Sequence, residues 1–168
     1  MSVSQINYRE TYFQYPTLTK IRGDPTYLSL SELEKECRAN GMSVQTTLGG
    51  GAKGHLGLTC SIPAYERVAP GTPFIRPVLP VLQQTTANAT GFQIEAARAV
   101  YDDELNVFHV CNLVERLIIQ QINTALDKEC LNDLVDEYTG LLTGTIPEIF
   151  RNLFATYGHI TPQTLTEA

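Results

Sequence analysis

Between residues 92 and 138 the chain contains neither glycine nor proline, and this run constrains the fold more than any other feature. A stretch of that length without the two residues that break a backbone ladder favours helix, and the apolar spacing supplies the face. Ile94, Ala97, Tyr101, Leu105, Phe108, Cys111, Val114, Ile118, Ile122 and Ala125 recur at intervals of three and four, the period of one helical stripe. The run therefore predicts a long helix. Asp127 is expected to interrupt it and to cap a shorter helix carrying Leu131, Leu134, Val135 and Tyr138, which Gly140 ends.

Two further segments carry helical punctuation. Over residues 25–40, Leu30, Leu33 and Cys37 share a face while Glu32, Glu34, Lys35, Glu36 and Arg38 cover the rest, and Asn40-Gly41 supplies a stop. Thr145-Ile146-Pro147-Glu148 has the spacing of a capping box with proline in the first turn, and it opens a helix bearing Ile149, Phe150, Leu153, Phe154 and Tyr157 up to Gly158. Thr161-Pro162 predicts one more helix start. An isolated helix of barely two turns is marginal, so this reading expects a fragment of a longer parent or a segment that waits for a partner.

The remaining chain is irregular by composition. Residues 1–23 form an extended arm whose Tyr8, Tyr12, Phe13 and Tyr15 show no sustained period, and such aromatic content predicts docking on its own domain or on a neighbour. Gly49, Gly50, Gly51, Gly54 and Gly57, followed by Pro63, Pro70, Pro73, Pro77 and Pro80, argue against a regular helix and for an ordered loop over residues 41–90, with at most one short strand or helical turn. The expected architecture is mainly α: a bundle of about four to five helices over residues 24–168, preceded by the aromatic arm and containing the glycine- and proline-rich loop.

Charge and chemistry narrow the function classes. With 12 Lys and Arg against 18 Asp and Glu, the net charge of -6 disfavours phosphate-backbone binding by the bulk surface. No apolar run approaches the roughly 20 residues that span a bilayer. The N-terminal sequence has neither a basic nor an apolar leader region, so a cytoplasmic protein is expected. Cys37, Cys60, Cys111 and Cys130 are too widely spaced for a disulfide scaffold or a zinc knuckle and read as buried thiols.

Each candidate constellation meets a physical objection. Gly49-x-Gly51-x-x-Gly54 has the glycines of a dinucleotide turn, but the following residues 55–63 do not read as a helix and no acidic residue follows at about 20 positions. A P-loop would need lysine where His55 stands. The five loop glycines instead read as structural, permitting a tight turn and close backbone packing. His55 with Cys60 is a thiol-and-base pairing by proximity alone. His109 and Cys111 are two apart on a helix and point to different sides. His159 reads as a helix-end cap. The Asp102-Asp103-Glu104 run reads as a solvated helix face, and Pro77-x-x-Pro80 as an extended segment packed over the domain rather than a PxxP ligand. No catalytic, cofactor or metal residues are assigned, and no small-molecule substrate is indicated.

The segments at residues 20–44 (KIRGDPTYLSLSELEKECRANGMSV), 48–58 (LGGGAKGHLGL), 72–77 (TPFIRP) and 156–165 (TYGHITPQTL) resemble, in order, the N-terminal part of Gag-like proteins of copia-type LTR retroelements of diatoms and other algae. The resemblance runs from about Lys20 to Leu165. It implies a helical capsid domain that self-associates into a particle or filament, with RNA held only indirectly, through a basic or zinc-knuckle segment this sequence lacks. Tyr8, Tyr12, Phe13, Tyr15, Phe74 and Ile75 are then the candidate assembly contacts. The alternatives are a monomeric or dimeric helical adaptor domain, and a small enzyme using Cys60 and His55.

Overall fold

The computed structural model describes residues 7–158, so the expected helix start at Thr161-Pro162 and the cap at His159 lie outside the described residues. The chain is mainly helical, and its only β pairing among the described residues is a bridge between Val135 and Leu142. In order, α1 is Tyr8–Thr11, α2 Tyr27–Ser43, α3 Ile62–Val68, α4 Gly91–Ala125, α5 Lys128–Leu131 and α6 Ile146–Tyr157. The core lies where α2, α6 and the C-terminal half of α4 meet, around Leu30, Leu33, Cys37, Val114, Ile118, Ile122, Ile149, Phe150 and Leu153.

The helix starts follow their local chemistry. Thr26, Thr90 and Thr145 each cap a helix reciprocally with the side chain three residues on, Ser29, Gln93 and Glu148 respectively. The stop at Asn40-Gly41 does not operate, since α2 continues to Ser43. Gly41 keeps a helical backbone and serves as a point of close approach: the His55 N–H donates to its carbonyl at 2.8 Å, and a Cβ here would lie 2.9 Å from the His55 carbonyl oxygen.

Three other expectations are corrected. The proline-rich region holds a helix, α3, because Ser61 caps it and Pro63 falls in the first turn, where a missing N–H costs nothing. The helix expected up to Tyr138 is only α5 plus a 3-10 turn at Asn132–Leu134. The Asp136 carboxylate accepts from the Tyr138 and Thr139 amides at 2.6 and 3.2 Å, drawing that backbone into a turn. Asp127 does stand at the N-cap of α5, yet its carboxylate accepts from the Gly23 amide at 2.7 Å instead of capping.

The arm packs on its own domain. Tyr8, Phe13 and Leu18 are core residues. Buried Asn40 and Gln121 clamp the arm: the Tyr15 N–H donates to Asn40 Oδ1 at 2.7 Å, and Asn40 Nδ2 donates to the Tyr15 carbonyl at 3.0 Å and to Gln121 Oε1 at 2.9 Å. Gln121 Nε2 donates to the Tyr15 and Pro16 carbonyls. Further along, the Ile21 N–H donates to the Ala125 carbonyl at 2.8 Å, and Lys20 bridges to the Thr124 carbonyl and Asp127.

Candidate assembly surface

A helix of this length rises about 1.5 Å per residue and so outreaches the body it packs on. One face of α4 is buried from Val110 onward, with Val114, Ile118 and Ile122 fully so. N-terminal to Val110 the helix projects. Its stripe at Ile94, Ala97, Tyr101, Leu105 and Phe108, expected to be continuous with the buried one, is only partly covered. A second stripe of Phe92, Ala96, Val100 and Val107 continues the face that Val110 and Val114 bury, and here Phe92 is 81% and Val100 57% exposed. The cause is length: α2 and α6 end before they can cover it. We call residues 91–109 the tip of α4.

Beside the tip runs a strap, residues 70–90, between α3 and α4. Arg76 pairs with Glu115, Pro77 and Val78 lie near Asp103 and Val107, and Leu82 and Thr85 lie near Ile94 and Arg98. The strap thus runs antiparallel to the helix, each covering about 30 Å at its own rise per residue. Between residues 73 and 85 it makes no backbone hydrogen bond to another described residue. Partial burial recurs every third residue, at Phe74, Pro77 and Pro80, which is the period of a left-handed polyproline-type helix. The other edges face outward: Ile75, Val78, Leu79 and Val81 are all exposed, Val78 by 82%. The expectation that this segment is packed over the domain is thereby corrected, because over residues 73–85 only every third residue is even partly buried. The two prolines of Pro77-x-x-Pro80 lie on that inner edge rather than on the presented ones.

The glycine loop anchors the strap. It is folded as 3-10 turns at Leu48–Gly50 and Leu56–Leu58, with Gly49, Gly50, Gly51 and Gly54 at positive φ. At Gly54 a Cβ would lie 2.4 Å from the Met42 carbonyl oxygen, and at Gly57 it would fall 2.2 Å from the Phe74 ring. Phe74 can dock there only because Gly57 has no side chain. The Tyr65 hydroxyl donates to the Gly49 carbonyl at 2.6 Å, and the Tyr65 ring meets Phe74 edge-on.

Of the expected assembly contacts, Tyr8 and Phe13 are core residues and Phe74 is the strap's intramolecular anchor, so these three face inward. Tyr12, Tyr15 and Ile75 are exposed. Phe92, Val100, Val78 and Val81 belong to the surface but were not singled out from the sequence. Their signal was available: the glycine-free run carries apolar residues on two faces over residues 92–107, and one bundle contact covers one face.

Of the residues considered for chemistry, His55, Cys60 and Cys111 lie away from this surface, whereas Asp102, Asp103, Glu104 and His109 are on the tip. His55 is fully buried, its Nδ1 lies 2.6 Å from the Val44 carbonyl oxygen, and its Nε2 has no partner. Since a carbonyl only accepts, Nδ1 carries the proton. The Cys60 thiol donates to the Leu56 carbonyl rather than to His55, and burial pushes its pKa up. Cys111 is buried and His109 exposed, on different sides of α4. Burial raises the thiols of Cys37, Cys111 and Cys130 as well. Among the described residues no three His, Cys, Asp or Glu side chains converge as metal ligands, and no helix is long and apolar enough to cross a membrane. Asp102, Asp103 and Glu104 are exposed on the tip. Comparison with protein-family models, curated proteins and solved structures returns no match.

Proposed function

We propose that this chain is a structural self-assembly protein, a capsid-like domain of the Gag type that homo-oligomerises into a particle or filament in the cytoplasm and catalyses no reaction. One observation supports the reading above the others: the tip of α4 and the outward edges of the strap form a neighbouring set of exposed apolar side chains beyond the packed body. A monomer leaves this apolar surface in water, and contiguous surfaces of this kind mark interaction sites. RNA is held indirectly in this reading, since the excess of acidic residues repels a phosphate backbone. The test is light scattering with negative-stain microscopy over a concentration and salt series. Concentration-dependent growth into particles or filaments is expected, and a monomer under every condition would refute the reading.

The strap favours a second reading. Its outer edge is a linear apolar ridge resembling a bound peptide more than a shell contact, and it suits a helical adaptor domain that presents residues 75–82 to another protein. A monomer that loses a binding partner when Val78 and Val81 are changed to serine would select the adaptor.

A further inference from the structure

The strap does not close over the tip of α4 but leaves two grooves that follow one another along the helix. The larger, of about 570 Å³, is lined by Leu48, Pro77, Val78, Asp103, Glu104 and Val107 among others. The second, of about 350 Å³, is lined by Leu82, Ile94, Glu95, Ala97 and Arg98 among others. From residue 94 to residue 107 the helix rises about 20 Å, so a ligand spanning both grooves has room for about four helical turns.

The charge around the grooves is of one sign. Glu95, Asp103 and Glu104 line them with Arg98 as the one base among the lining residues, and Arg98 already stands 3.9 Å from Asp102. Residues 77–90 of the strap carry no charged side chain, and Arg76 before them is paired with Glu115. A second copy does not supply the complement. Two tips opposed would set carboxylate against carboxylate, which is unfavourable. On the arm, Lys20 pairs with Asp127, Glu36 accepts from Thr19, and Asp24 stands beside Arg22. On α2, Lys35 and Arg38 pair with Glu32 and Glu34. A phosphate backbone or an anionic membrane surface is repelled by the same carboxylates.

We infer that the grooves between strap and tip dock a basic amphipathic helix of another protein. Its apolar face lies along Val78, Leu82, Ile94 and Val107, and its Lys or Arg side chains meet Glu95, Asp103 and Glu104. An amphipathic helix laid in an apolar groove, with complementary charge at the rim, is a recurring mode of recognition. The inference goes beyond self-assembly and does not rest on it. Ile75, Leu79, Val81, Phe92 and Val100 line neither groove and stay exposed for contact between copies.

The experiment is fluorescence anisotropy of a labelled helical peptide of about 18 residues, long enough to span both grooves, with leucine on one face and lysine on the other. The full chain is titrated into it at low concentration. Two control peptides replace lysine by glutamate or leucine by serine, and each should bind at least about tenfold more weakly. Asp103→Lys with Glu104→Lys should weaken binding of the leucine–lysine peptide by about tenfold or more, and Val78→Ser by several-fold. Glu129→Lys with Glu137→Lys changes the net charge equally but on the body, and should leave binding within about twofold because distant charges are screened. All four carboxylates and Val78 are exposed, and circular dichroism checks that each variant folds. Absence of binding overturns the inference. So does a control peptide that binds as well as the leucine–lysine one, or a body reversal that weakens binding as much as the tip reversal. Light scattering of the chain alone decides self-assembly separately, whichever of these results is found.

Discussion

Asn40 shows what a single buried amide can do in a small helical domain. It joins the arm to α2 and, through Gln121, to α4. Asn40→Ala leaves the Tyr15 amide and Gln121 Oε1 without those partners, and we expect a loss of about 2–4 kcal/mol in urea unfolding. The Gln121→Ala change should be less than additive with it, as expected within one network. Gly57→Ala forces a methyl group into the Phe74 ring and should cost about 1–3 kcal/mol by the same measurement. His55 adds a pH dependence. Burial lowers its pKa from the ordinary 6.5, so as pH falls the unfolded chain takes up the proton first. The stability owed to neutral His55 is complete above that unfolded value and is lost as pH drops below it. Thermal melts across this range should show a slope that His55→Asn, which can still donate toward Val44, flattens. The Thr145 cap and the turn-making, positive-φ glycines were legible in the sequence because those roles are local. The roles of Asn40 and His55 were not, since their partners sit on other elements.

At the scale of elements, α4 is one helix with two environments. Its residues from Val110 share the core, while its tip touches little beyond the strap. Amide hydrogen exchange in dilute protein should therefore be slow over residues 110–125 and much faster over residues 94–106, and the tip should become protected on assembly. Two equivalent caps should then behave differently. Thr145→Ala removes the cap of α6, whose Ile146, Ile149 and Phe150 are buried, and should lower global stability by about 1 kcal/mol. Thr90→Ala should speed exchange in the first turns of α4 with little change in the melting temperature. Element types followed from period and punctuation. Two failures have separate causes: Pro63 read as a breaker is a first-turn proline, and the stretch after Leu131 has helical spacing that the Asp136 turn overrides.

For the whole molecule, assembly should persist or strengthen as salt rises, because the exposed side chains of the tip and strap are apolar and salt screens the repulsion between copies of net charge -6. Sedimentation at low and high ionic strength checks this. The sequence by itself determined the helical character, the starts of α2, α4 and α6, and the tight turns at the loop glycines, since each rests on chemistry within a few residues. Only the tertiary structure decided that the arm docks on its own domain and that α4 is left bare at one end. Apolar spacing marks a face but says nothing of what meets it, and what meets α4 comes from residues far away in sequence. The arm's Tyr15 reaches Gln121, and beyond Val110 no neighbouring helix extends far enough to cover the tip.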